Sequence, residues 1–390
     1  MIAAALLCLA SAGLLLALVQ ALALRRHLEL PAAEPRSFPF VSILKPLCGV
    51  DDDLWRNLRS FTRLRYPAYE ILLGVEDPRD PAHALALRAK ARWPDRVRVI
   101  VQRGAPGLNP KVNQLIALAT SARGDLLVVS DSNIRVRRDY LRGIAAAFDD
   151  VRCGLVTHPV AGIGERTLGA LFDNLTMCGS VAAGVASVKR IAGVDLVVGK
   201  SMALRRIDLR AIGGFERLKD VLAEDFLAGR IVTRELGKRI ALASQPVFRL
   251  SRSQCVPAFL SRYLRWSVMQ RKAVGNCAYA AQILLNPVAF ATAAVLASPG
   301  RWTALGFCAV ALARSGLHEC SAKALRNRGF SLFSLFAPLA DVLLAFVWAA
   351  GLVRSTIEWR GHRLAVRERT RLEPVAGAPF AGIEPQARPG

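Results

Sequence analysis

A chain of 390 residues with a formal net charge of +23 and 53% hydrophobic residues is neither a stapled mini-domain nor a disordered polycation. The apolar share exceeds the roughly 45–50% of soluble domains, and the excess is concentrated at the two ends. The arginines are spread along the whole chain with no nucleic-acid-binding motif or aromatic platform. Nucleic acid is therefore excluded as a partner, and the charge reads as attraction to anionic lipid head groups or a phosphate-bearing substrate.

The first segment, Ile2 to Leu24, carries no charged side chain and matches the roughly 20 residues needed to cross a hydrocarbon core. Arg25 and Arg26 come directly after it and no charge precedes it, which is the reverse of a signal peptide and puts the chain beyond Arg26 on the cytoplasmic side. Residues 1–26 are thus expected to be a transmembrane anchor, and residues 27–255 a cytosolic domain.

After a Pro-containing linker (30–39), apolar runs at Phe40–Leu44, Tyr69–Val75, Val97–Val101 and Asp125–Ser130 alternate with helical segments at Leu54–Leu64, Ala82–Arg92 and Lys111–Ser121. Such alternation predicts an α/β fold with a mostly parallel sheet and flanking helices. Ligands of such sheets sit beyond the carboxyl ends of the strands, where Glu76-Asp77 and Asp131-Ser132-Asn133 fall.

Two phosphate motifs fail. Val198-Gly199-Lys200-Ser201 ends like a P-loop but has Val194 where the first glycine belongs, and Gly162-Ile163-Gly164 has Thr167 in place of the third glycine of a dinucleotide fingerprint. Eight cysteines show no C-x-x-C spacing and read as reduced structural thiols. The five scattered histidines are assigned no chemistry.

From Pro257 onward a helix places Phe259, Tyr263 and Trp266 at i, i+4 and i+7, one aromatic stripe with Arg262 and Arg265 beside it. Residues 256–275 therefore read as an interfacial amphipathic helix. Residues 276–355 hold apolar stretches at Ala278–Ala297, Trp302–Ala313 (ended by Arg314) and Phe330–Val353. Basic flanks on both sides of the last stretch favour the cytosol, so it is either a re-entrant hairpin, with Pro338 and Asp341 near its middle, or a plain span. Residues 356–390 read as a basic, partly disordered tail, with Pro374–Gly390 dispensable.

Asp77, Asp131 and the pair Glu224-Asp225, followed by Arg262-Tyr263-Leu264-Arg265-Trp266, are individually weak signals. Together with Gly107 to Asn113, in their order and spacing, they resemble the ceramide glucosyltransferase-like branch of the GT-A glycosyltransferases over Phe40 to Trp266. A related bacterial branch is associated with hopanoids.

That resemblance implies a GT-A catalytic domain and inverting transfer of a hexose from a UDP-sugar, UDP-glucose by preference, to the hydroxyl of a membrane lipid such as ceramide. It implies Asp77, Lys111, Arg262, Arg265 and Trp266 at the donor, Asp131 with Asn133 holding Mg²⁺ or Mn²⁺ on the diphosphate, and Asp225, chosen over Glu224, as general base. Asn133 stands where many relatives carry a second aspartate, so one formal charge is missing. The expected location is a bacterial inner membrane with the catalytic domain facing the cytoplasm. Other readings are a hopanoid or other lipid acceptor, a processive polysaccharide synthase, which needs more helices after the motif, and a non-catalytic lipid-binding scaffold.

Overall fold

A computed structural model describes residues 1–329, 331–359 and 362–375. Its first part runs α1 (Ile2–Leu28), β1 (Val41–Pro46), α2 (Leu54–Phe61), β2 (Tyr69–Val75), α3 (Pro81–Arg92), β3 (Val97–Val101), α4 (Pro110–Ser121) and β4 (Leu126–Ser130). This is the expected alternation, with ends moved by a few residues. Two of the helix starts arise from local chemistry. Asp80 accepts from the Ala82 amide ahead of α3 and Asn109 from those of Lys111 and Val112 ahead of α4, each with a proline in the first turn.

The chain continues through β5 (Ile134–Arg135), α5 (Tyr140–Phe148), β6 (Cys153–Thr157), β7 (Val160–Ile163), α6 (Leu168–Thr176), α7 (Ala183–Ala192), β8 (Ser201–Arg205), α8 (Arg206–Ala211), α9 (Glu224–Arg234), β9 (Arg239–Leu242) and β10 (Val247–Leu250). Seven strands form one sheet in the order β3-β2-β1-β4-β8-β6-β9. Within it β8 runs antiparallel to both neighbours, while β1, β2, β3 and β4 are parallel. Strands β1, β2 and β4 are buried along their whole length, which is why they read as unbroken apolar runs. Because β8 runs the other way, its amino end lies at the edge where β1, β2 and β4 deliver their carboxyl ends. A smaller sheet, β5-β10-β7, stands beside the main one.

The last part holds α10 (Val256–Val274), α11 (Asn276–Ala281), α12 (Pro287–Ala297), α13 (Arg301–Arg326), α14 (Ala337–Val353) and a three-stranded antiparallel sheet of β11 (Thr356–Trp359), β12 (His362–Val366) and β13 (Leu372–Pro374). Among the described residues, α1 and the helical segment 332–353 are long and apolar enough to cross a membrane, and only 17% and 28% of their most apolar stretches are buried. The segment 168–192 also qualifies by composition, but 72% of it is buried, so packing inside the protein accounts for its apolarity.

Three details refine the expectation. Helix α13 runs on through Arg314 instead of ending there, because that buried guanidinium is satisfied by Asp341 at 2.7 Å and by the Ser180 hydroxyl at 2.9 Å. Of the two forms expected for the last apolar stretch, residues 332–353 run on as one helical segment rather than a hairpin: Pro338 lies in the first turn of α14, where a missing N–H is harmless. The bend, of 77°, falls at Asn286, between residues 276–285 and 287–297. Third, the opening of the expected tail carries the last sheet, its strands falling within residues 356–359 and 362–374. The remainder of that tail, 376–390, lies outside the described residues.

The aromatic stripe of α10 faces inward. Phe259 and Tyr263 are buried against Phe172, Ala340 and Val347, so the stripe joins α6 to α14 rather than lying open at a lipid surface. Beneath it the buried Asp173 carboxylate receives Arg249 at 2.5 Å, Arg262 at 2.8 Å and the Tyr263 hydroxyl at 3.2 Å. Removing that shared acceptor leaves Arg249 buried and unpaired. Asp173→Ala should therefore cost about 3–5 kcal/mol, read as a lowered unfolding midpoint of the detergent-solubilised protein.

Candidate active site

At the carboxyl edge of the main sheet a cavity of about 550 Å³ opens between the strand ends, α9 and α10. Its lining includes the ionic and polar side chains Asp51, Lys111, Asp131, Asn133, Lys200, Glu224 and Asp225. It also includes Val181, Val185, Val197, Met269, Ala273 and Trp359, with Arg265 and Trp266. A cavity lined by both kinds of side chain suits a substrate pair with charged and apolar parts.

Asp131 begins the turn after β4. Its carboxylate receives the Lys200 ammonium at 2.6 Å and the Lys111 ammonium at 3.0 Å. Burial alone would raise this carboxyl, but the two lysines outweigh it and hold the group ionised, far below the usual carboxylate range. Lys111 also meets Glu224 at 2.8 Å, and despite its burial these carboxylates hold it charged. From below, the buried Lys45 donates to the Asp131 main-chain oxygen at 2.7 Å and to Ser130 Oγ at 3.3 Å. Burial pulls Lys45 down to about 7, against the opposing pull of Asp131 and Asp51.

Asp225 sits in the first turn of α9, one residue beyond Glu224. It accepts from the Phe226 amide at 2.8 Å and the Gly199 amide at 2.6 Å. A Cβ on Gly199 would stand 2.5 Å from Asp225 Oδ2, so the approach depends on glycine there. Burial, and then the neighbouring Glu224, push the Asp225 carboxyl up to about 6 although Lys111 and the two amides oppose the shift. A half-buried carboxylate tuned close to neutral pH at a cavity wall is suited to take a proton.

The cavity gathers Lys111, Asp131, Asn133, Asp225, Arg265 and Trp266 from the expected set. Two members lie elsewhere. Arg262 is turned to Asp173 beneath α10 and is not among the lining residues. Asp77 stands just beyond the end of β2 on the same edge of the sheet, half-buried, with Arg79 binding its carboxylate and holding it down to about 2. Lys200, Lys45, Asp51 and Trp359 were missed. For Lys200 a signal existed: the Gly199-Lys200-Ser201 stretch that fails as a P-loop leads into β8 and brings both the Gly199 amide and the Lys200 ammonium to the site.

The cavity also fits a divalent cation that shares its coordination with a diphosphate. The Asn133 side-chain oxygen is buried without a hydrogen-bond partner, and with the Asp131 carboxylate it offers the oxygen donors that Mg²⁺ and Mn²⁺ prefer. Among the described residues no group of three or more His, Cys, Asp or Glu side chains could hold a metal by itself. One or two carboxylates plus phosphate oxygens are what such ions usually require.

The sequence model of glycosyl transferase family 21 matches residues 5–372. The chain belongs to glycosyl transferase family 21. Within the curated proteins it is 29% identical over 232 residues to "Ceramide glucosyltransferase 1" of Caenorhabditis elegans, covering 59% of this chain and 49% of that protein. It is 26% identical over 349 residues to "Ceramide glucosyltransferase 3" of the same organism, covering 84% and 73%. The match to the first thus spans about half of that relative's length. Among solved structures, the mannosyltransferase PcManGT from Pyrobaculum calidifontis, in complex with GDP-Man and Mn²⁺, superposes with a TM-score of 0.53 at 17% identity over 90% of this chain and 99% of that one. That likeness supports the family 21 chain having the GT-A fold its sequence implied.

Proposed function

We propose that this family 21 protein transfers a hexose from a UDP-sugar, UDP-glucose by preference, to the hydroxyl of a membrane lipid, with ceramide the first candidate acceptor. The observation that carries the reading is one cavity holding a half-buried carboxylate raised toward neutral pH, a lysine-clamped aspartate and apolar lining residues. The relatives' names agree with it.

In this reading the acceptor oxygen attacks the anomeric carbon from the side opposite the diphosphate, its proton passes to Asp225, and the bond to the diphosphate oxygen breaks with its electron pair leaving on UDP. Attack opposite the leaving group inverts the anomeric centre, so an α-linked donor gives a β-glycoside. Lys111, Lys200 and Arg265 line the cavity and in this reading stabilise the charge that grows on the leaving diphosphate. Asp131 and Asn133 would hold Mg²⁺ or Mn²⁺, which when bound supplies further charge stabilisation at the diphosphate. Asp77 serves the nucleoside end of the donor, beyond the lined cavity. Arg262 acts through Asp173, orienting the helix that presents Arg265 and Trp266.

The apolar lining residues take the start of the lipid chain, and α1 with residues 332–353 holds the enzyme at the membrane. Arg25 and Arg26 after the first span favour a catalytic domain on the cytoplasmic face, in a bacterial inner membrane. Asn133 does not argue for a decayed site, because its orphaned oxygen points to a ligand rather than to a substituted, self-satisfied turn. The test is isotope-labelled UDP-glucose offered to the purified protein with ceramide. Label in a lipid-extractable product supports the proposal, whereas label released only as free glucose, or not released, overturns it.

A further inference from the structure

The loop leading into α9 is held from two sides. On one side the α4 start, which carries Lys111, grips it: the Asn109 amide donates to the Lys219 carbonyl at 2.8 Å, the Asn109 side chain to the Val221 carbonyl at 2.7 Å, and the Leu108 amide to the Asp220 carboxylate at 2.9 Å. On the other side stands the carboxy-terminal sheet. The Leu222 amide donates to the Thr370 carbonyl at 2.9 Å, the Ala223 amide to the Thr370 hydroxyl at 3.3 Å, and the Leu372 amide to the Asp220 carbonyl at 2.8 Å. Val221 also pairs with Arg371 as an isolated antiparallel bridge.

Thr370 makes these bonds from an unfavourable backbone. Its φ is 61° and that of Arg369 is 55°, a left-handed conformation that β-branched residues in particular avoid. A residue held there against its preference is fixed by its surroundings, and such positions cluster at functional sites. The side chain is buried, at 1% exposure, and Trp359 of the same sheet lines the cavity. Ile357, Leu364, Val366 and Leu372 bury the sheet against Leu222 and Val268, so it is seated on both the loop and α10.

We propose that Thr370, held in the turn between the last two strands, is a positioning residue whose carbonyl and hydroxyl fix residues 222–223 and thereby set where Asp225 meets the acceptor. The inference rests on the reading of Asp225 as the proton acceptor. Thr370 itself bonds only Leu222 and Ala223, neither of which is assigned to the donor, so the loss should appear in kcat and not in the affinity for donor.

Thr370→Val, Thr370→Ser, Glu373→Gln and Asp225→Asn would be compared in the full-length protein by transfer kinetics, UDP-sugar binding and unfolding midpoint. Thr370→Val keeps the branched shape but loses the hydroxyl, and is expected to lower kcat on the order of 10- to 100-fold with donor affinity unchanged. Thr370→Ser keeps the hydroxyl and is expected to restore nearly full turnover. Glu373→Gln breaks an exposed ion pair with Arg367 in the same sheet and is expected to leave kcat unchanged. Unaltered kcat in Thr370→Val, or a fall matched by lost donor affinity and by an equal defect in Thr370→Ser, overturns the proposal while Asp225→Asn remains inactive. Full activity in Asp225→Asn overturns the proton-acceptor reading itself.

Discussion

Replacing Asp225 by Asn is expected to lower the rate of transfer by roughly 10²–10⁴-fold, the usual contribution of a positioned base, with UDP-sugar affinity little changed. The amide keeps the size of the side chain and still accepts one of the two backbone hydrogen bonds from Gly199 and Phe226, but it cannot take the acceptor's proton. The same assignment fixes a pH dependence. Burial and Glu224 raise the Asp225 carboxyl to about 6, and only the ionised form is a base. Turnover of the unsubstituted enzyme should therefore climb as pH rises through about 6 and level off above it, and this limb should be absent from the residual rate of Asp225→Asn. A rate independent of pH between about 5 and 7 in the unsubstituted enzyme removes Asp225 from the proton transfer.

Chelation is expected to have the second largest effect. A divalent ion on a leaving diphosphate supplies several kcal/mol of charge stabilisation, which at about 1.4 kcal/mol per decade corresponds to a loss on the order of 10²-fold or more. EDTA should abolish measurable transfer, and added Mg²⁺ or Mn²⁺ should restore it. Asp131→Asn should not be rescued by either ion. Its loss also leaves Lys111 and Lys200 facing each other without the carboxylate that now separates their charges. Undiminished transfer in EDTA would show that the lysines and Arg265 carry the leaving group alone.

Much of this architecture was legible because the buried parallel strands have only one way to look in sequence. Strands β2 and β3 fall on the runs Tyr69–Val75 and Val97–Val101, and β1 and β4 begin or end within two residues of theirs. The aspartate after β4 and the acidic pair opening α9 could be found because each marks the end of an apolar or turn segment. What escaped depends on partners distant in the chain. Arg314 looks like a helix stop until Asp341, 27 residues on, is seen to neutralise it. Arg262 looks like its neighbour Arg265 until Asp173, on α6, turns it under the helix. Lys200 reaches Asp131 only because β8 runs antiparallel to β4, and strand direction is not written in a five-residue run. The basic composition after Val353 suggests a tail. Its few apolar residues, Ile357, Leu364, Val366 and Leu372, suffice for a small sheet because α10 and the loop before α9 supply the rest of the core.

The most direct measurement is mass spectrometry of the lipids formed when the purified protein, in detergent with Mg²⁺, is offered a panel of UDP-sugars together with ceramide, hopanoid and diacylglycerol acceptors. A β-linked hexosyl lipid whose formation requires both the UDP-sugar and the lipid, and disappears in Asp225→Asn, is the predicted result. Sugar release without any lipid product, elongation of a polysaccharide, or a lipid product undiminished in Asp225→Asn would contradict it.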